Sequence, residues 1–150
     1  MNLLIYALFG AVAASAGTIF AKFGLKGVDS NLLTTLRGIL MAILVVLITT
    51  IFTKFSFSSL QTLTLKNWIF VLLSALGGAL SWLFFYYALS HGNVVGATVI
   101  DKLSIVITAV LAVILLSEKL SLFSGIGLSL IVIGSILVAV PIEKIISIFK

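Results

Sequence analysis

Five stretches of this 150-residue chain, 3–23, 31–52, 68–89, 94–116 and 122–140, each run for about twenty apolar residues with few charges. A helix needs ~20 such residues, at 1.5 Å per residue, to cross the ~30 Å hydrocarbon core of a bilayer. Inside lipid no water reaches backbone N–H and C=O groups, and a helix pairs all of them within one segment. The expected fold class is therefore all-α, a polytopic membrane protein with five transmembrane helices. A water-soluble fold fails on composition. Apolar residues make up 62% of the chain and charged residues 9%, where soluble domains are about half apolar and about a quarter charged. Five crossings use ~100 residues and leave about 50 for turns and a tail, so six would barely fit.

The connections follow from the polar residues. Small residues crowd the middle of segment 3–23, and its Ala14-Ser15-Ala16 triplet resembles a signal-peptidase site. No Lys or Arg precedes Lys22, and a signal peptide wants a basic start, so a retained helix is expected. Asp29 or Ser30 can cap the second segment. Residues 54–67, rich in Ser and Thr, form the longest connection, and His91-Gly92-Asn93 and Glu118-Lys119 make the next two turns. Pro141 discourages continuation of the fifth segment. The tail 142–150 mixes Glu143, Lys144 and Lys150 with Ile and Phe, a pattern suited to the membrane surface. No linker separates a second domain, so residues 1–150 are read as one.

Charge and cysteine content narrow the function classes. The net charge of +5 is scattered singly between apolar runs, which marks loops and not a nucleic-acid surface. With no Cys and one His, disulfides and thiol redox chemistry are excluded and little is left for a metal centre, so no metal or other cofactor is expected. Intramembrane hydrolysis would need a serine and histidine apposed across helices with an oxyanion site. Ser90 and His91 are merely adjacent, in a turn, so no enzymatic activity is expected.

If the N-terminus lies on side A, the loops after segments two and four share that side, carrying Lys54, Lys66 and Lys119. Side B holds Lys22, Lys26, Lys144 and Lys150. Orientation follows the Lys/Arg bias of short loops, and three against four instructs insertion weakly. Many carriers join two repeats of inverted topology, with the solute site near the midplane between them. A lone unit with an odd number of crossings reproduces that arrangement by inserting both ways and pairing antiparallel. The expected assembly is an antiparallel homodimer, or a heterodimer with an oppositely oriented paralogue, in contact with membrane lipid and a small solute. An accessory or structural subunit that transports nothing itself is the alternative.

Residues 96–140 read GATVIDKLSIVITAVLAVILLSEKLSLFSGIGLSLIVIGSILVAV. This resembles the end of the EamA-type repeat of the drug/metabolite transporter superfamily, in which a leucine-rich helix end leads into a Gly/Ser-Glu element. Leu115-Leu116-Ser117-Glu118-Lys119-Leu120 matches it, and Gly127 and Gly134 match glycines of the following helix. The earlier chain is similar too, with a small-residue first helix ending in Lys22, Arg37 early in the second, and a Gly-rich third ending in Tyr86-Tyr87-Ala88-Leu89. The chain is similar in particular to the five-helix bacterial and archaeal members. Asp101-Lys102-Leu103-Ser104 stands where many ten-helix relatives have a proline-containing segment. The resemblance implies a multi-pass protein of the cell inner membrane that carries a metabolite or amino-acid-like solute, with inverted-repeat architecture.

Charges inside a bilayer are expensive and usually face a bundle interior or an aqueous cavity. Asp101 and Lys102 lie ~12 Å from side B and Arg37 ~10 Å, by helical rise. A structural ion pair between Arg37 and Asp101 is expected at that shared depth. Lys102, ~100° around the helix from Asp101, then needs another partner, and with Lys22 it is a candidate cationic site for a carboxylate or phosphate group. Asp101 is also a candidate for proton coupling. Trp82, Phe85 and Tyr86 share one helix face by i, i+3, i+4 spacing. Tyr86, Tyr87 and Trp68 suit an interfacial belt, whereas the deeper Trp82 can line a solute path; Tyr86 is retained with Trp82 as a substrate-binding candidate. Ser74 and Gly78 have the small-xxx-small spacing of helix contacts.

Overall fold

A computed structural model describes residues 2–52 and 57–140, and every regular element in it is helical. Six α-helices follow in order: α1 (Asn2–Gly24), α2 (Ser30–Phe52), α3 (Leu65–His91), α4 (Val94–Asp101), α5 (Leu103–Leu116) and α6 (Leu122–Ala139), with a 3₁₀ turn at Phe57–Thr62. Five spans are long and apolar enough to cross a membrane, with α4 and α5 together making one, Val94–Leu116. The surface tail expected at 142–150, the stop at Pro141 and the side-A residue Lys54 lie outside the described residues.

The expected segments match these spans with two differences. α3 begins earlier and ends later than 68–89, taking Lys66 and His91 into its end turns, because Thr64 starts it. The Thr64 hydroxyl accepts from the Asn67 N–H at 3.3 Å, and its carbonyl accepts from the Trp68 N–H at 3.1 Å. The fourth segment is not one continuous helix. It breaks at Lys102, whose carbonyl accepts from Ile105 three residues on at 3.1 Å, a 3₁₀-type tightening of the kind that marks a bend in a long helix.

Local chemistry accounts for the remaining helix ends. Asp29 caps α2, its Oδ1 accepting from the N–H groups of Asn31 (2.9 Å) and Leu32 (3.0 Å). Gly27, with φ of +74°, supplies the left-handed residue of the α1–α2 turn. Asn93 caps α4 by accepting from Gly96 N–H at 2.6 Å, and Ser121 caps α6 by accepting from Ser124 N–H at 3.1 Å. At the end of α5, Ser117 adopts φ of +55° while Glu118 N–H reaches back to Ala112 O at 3.3 Å. This is the left-handed C-terminal turn usually given to glycine, which explains physically why glycine suits the Gly/Ser-Glu element.

Two compact units result, Met1–Ser90 and His91–Lys150. The first holds α1, α2 and α3, with its few buried residues, Ala21, Leu25, Ser30, Thr34, Tyr86 and Leu89, gathered at the end where α1 stops and α2 starts. In the second, α6 packs against both α4 and α5, with Ser135 buried. Most apolar side chains of both units point outward within the chain, as expected of helices whose surroundings are lipid or other helices.

Candidate functional site

The first unit is organised around Arg37. Asp29 starts α2 just past Gly27, which sets Arg37 two turns into the span on the face turned toward α3. Its guanidinium carbon lies 5.1 Å from the centre of the Trp82 ring and 5.2 Å from that of Tyr86. Those two aromatics stand four residues apart on α3, hence on one face. Phe85 meets the Tyr86 ring edge-on, centroids 5.4 Å apart. On the α1 side, a Cβ added to Gly17 would lie 3.7 Å from Arg37 Nη2, so the guanidinium passes close to that backbone.

Tyr86 is 2% exposed. That corrects its assignment to an interfacial belt: the ring faces inward beside Arg37, whereas Tyr87 and Trp68 are exposed. The signal that gave Tyr86 to the belt was its nearness to the helix end, and the i, i+4 relation to Trp82 was the better guide.

Beside this cluster, α2 and α3 enclose an open bay of about 500 Å³, lined by Thr34, Thr35, Gly38 and Ile39 on α2 and by Ala75, Gly78, Ala79, Trp82 and Leu83 on α3. Both threonine hydroxyls donate to their own helix, Thr34 to Ser30 O at 2.6 Å and Thr35 to Asn31 O at 2.8 Å, so the lining is mainly apolar. A Cβ at Gly38, Gly77 or Gly78 would meet nothing within 4 Å. The small residues of α3 thus widen a space within this unit.

Lys22, at the end of α1, donates from Nζ to the carbonyl of Leu89 at 2.6 Å. Leu89 lies in the last turn of α3, where carbonyls lack helical partners and the dipole favours a cation, so Lys22 ties two helix ends together. In the second unit, Lys102 Nζ lies 3.3 Å from Asp101 Oδ2, with side chains 53% and 32% exposed. The two residues expected to diverge around the helix are therefore paired, since the break at Lys102 and a long flexible stem let the ammonium fold back. The partners described for Arg37 are aromatic rings and the partner described for Asp101 is Lys102. The expected Arg37–Asp101 pair would join the two units and stays a proposal.

No group of three or more metal-ligating side chains occurs among the described residues. Thr98 Oγ1, on α4, is buried without a hydrogen-bonding partner, a feature that sequence alone gives no means of finding.

Five apolar spans, with charges held inside them and a bay between two of the spans, mark a multi-pass membrane protein. The EamA-like transporter family matches residues 1–140. The chain is also similar to a Sinorhizobium sp protein described as an uncharacterized transporter in the cobO 3′ region, 33% identical over 135 residues, which covers 90% of this chain and 94% of that relative. No solved structure matches the chain. The chain belongs to the EamA-like transporter family, as its Leu-Leu-Ser-Glu-Lys-Leu element and Gly-rich third span led one to expect.

Proposed function

We propose that the protein moves a small organic solute, a metabolite or amino-acid-like compound, across the inner membrane by alternating access, as an antiparallel pair of copies. The observation that carries this reading is the bay between α2 and α3, set beside an arginine inside a membrane span. An open apolar recess that shares one wall residue, Trp82, with a fixed charge can orient a small amphipathic ligand. Five spans are few to surround a path and also open it on alternate sides. A second copy in the opposite orientation supplies the inverted counterpart on which such carriers depend, and the near-equal lysine count of the two sides permits it.

On this reading Lys22, Arg37, Trp82, Tyr86, Asp101 and Lys102 serve solute binding or coupling. Arg37 and Trp82 bind, Tyr86 backs the guanidinium, Lys22 holds the helix ends that frame them, and the Asp101–Lys102 pair at the helix break takes part in coupling. Uptake into liposomes holding the purified protein tests the proposal. A library of amino acids, nucleosides, polyamines and organic anions should yield at least one solute that accumulates faster than in empty liposomes, and faster than with a Trp82→Ala variant that remains folded.

A further inference from the structure

Arg37 makes cation–π contacts with Trp82 and Tyr86, yet among the described residues of Met1–Ser90 no hydrogen-bond acceptor or carboxylate meets its guanidinium. Ring contacts offset the charge only in part, and among the described residues of this unit they are what the guanidinium meets. Five donors in a rigid fork fit the two oxygens of a carboxylate. A guanidinium within a membrane span is costly to leave without an anion, and attraction to a carboxylate is strong where water is scarce.

Trp82 belongs to two structures at once. Its ring carries the guanidinium, and it also lines the bay of about 500 Å³ whose other walls are apolar or small. Thr34 and Gly38, three residues before and one after Arg37, line the same bay. A ligand lying in the bay thus meets, in Trp82, the ring that carries the cation, and hydrocarbon along its length.

We infer that the solute is an amphipathic organic anion, its carboxylate held by Arg37 and its apolar body lying against Gly38, Ala75, Gly78 and Trp82. This rests on the transport reading and names the substrate class for it. Specificity then has two parts, since the arginine demands the charge and the missing Cβ atoms of Gly38 and Gly78 admit the body. Amines of the same size are rejected because their ammonium would face the guanidinium.

Trp82 reports on the site directly, because the chain has only two tryptophans and a Trp68→Phe variant leaves it alone. In lipid-free maltoside detergent, that variant is titrated with hexanoate, octanoate and 3-phenylpropionate, each against its primary amide and the corresponding amine. The carboxylates should quench or shift Trp82 emission saturably, while amides and amines should not. Arg37→Gln should weaken carboxylate binding by at least ~10-fold, and Arg37→Lys should fall between, keeping the charge and losing the fork.

Equal responses to acid and amide, or no response to any carboxylate in the folded protein, overturn the inference. So does a response confined to added phosphatidylglycerol, which would make Arg37 a lipid-phosphate site. Carboxylate binding that Asp101→Asn strengthens by more than ~10-fold would show that an internal carboxylate normally fills the fork, and would also overturn it. Flux in liposomes separates the two claims. Arg37-dependent binding without flux sinks transport and spares the anion site, whereas flux of cations indifferent to Arg37→Gln does the reverse.

Discussion

In Met1–Ser90 the charge inside the span is a guanidinium laid against two rings, whereas in His91–Lys150 it is a pair of opposite ions, side by side, on a broken helix. Both arrangements lessen the cost of a charge in lipid, but they leave different things behind. The rings of Trp82 and Tyr86 stabilise Arg37 without cancelling its charge, so the first unit keeps its attraction for an anion. Asp101 and Lys102 cancel each other, and what distinguishes the second unit is the break in its backbone. On the proposed reading, one region binds and the other bends.

The comparison breaks first at Tyr86. Removing a ring that is 2% exposed should destabilise the first unit by about 3 kcal/mol, since truncating a buried aromatic leaves a cavity, and should strip Arg37 of one of its two rings. Thermal unfolding of Tyr86→Ala in detergent measures this, and an unchanged midpoint would show that the ring supports nothing.

Lys22→Met comes next. Losing the 2.6 Å bond to Leu89 O should cost about 2 kcal/mol, the scale for a hydrogen bond to a charged group, read in the same assay. Little change would mean that α1 and α3 are held by other contacts.

Asp101→Asn should destabilise less than Lys22→Met, because Lys102 loses its counter-ion but its ammonium, 53% exposed within the chain and on a flexible stem, can turn elsewhere. Uptake should nevertheless fall severely if this region couples. A loss of stability as large as that of Tyr86→Ala would erase the contrast between the units. Full uptake by Lys102→Leu would remove Lys102 from the mechanism.

The smallest effect is a gain. Ser117→Gly relieves a side chain at φ of +55° and should stabilise the second unit by about 0.5–1 kcal/mol. A loss there would mean that the serine makes a contact outweighing the strain.

The five spans were legible because hydropathy over ~20 residues is a coarse, additive signal. Their ends were less so. Lys66 and His91 look like loop residues in sequence, yet at the end of a long helix such side chains can extend toward the interface, and α3 takes in both. Arg37, Trp82 and Tyr86 were each marked as candidates, but the first was assigned to Asp101. Matching charge with charge left out that a guanidinium also fits the negative face of a ring, while the Arg37–Asp101 pair stays a proposal. The break at Lys102 left no mark in composition, because no Pro or Gly stands there. The turn at Ser117 could have been inferred from the Gly/Ser alternative in its motif, the one cue that position gives to backbone handedness.

Pairing of oppositely oriented copies is the central claim, and the chain's lack of cysteine makes it directly measurable. Val28→Cys, in the turn after α1, and Leu60→Cys, in the 3₁₀ segment after α2, lie at opposite ends of a span and alter no charge. Each is to be treated in intact cells with a membrane-impermeant maleimide. The account predicts that about half of each variant reacts from outside and the rest only after the membrane is opened, as dual insertion requires. Complete labelling of one variant with complete protection of the other would give every copy one orientation and contradict it.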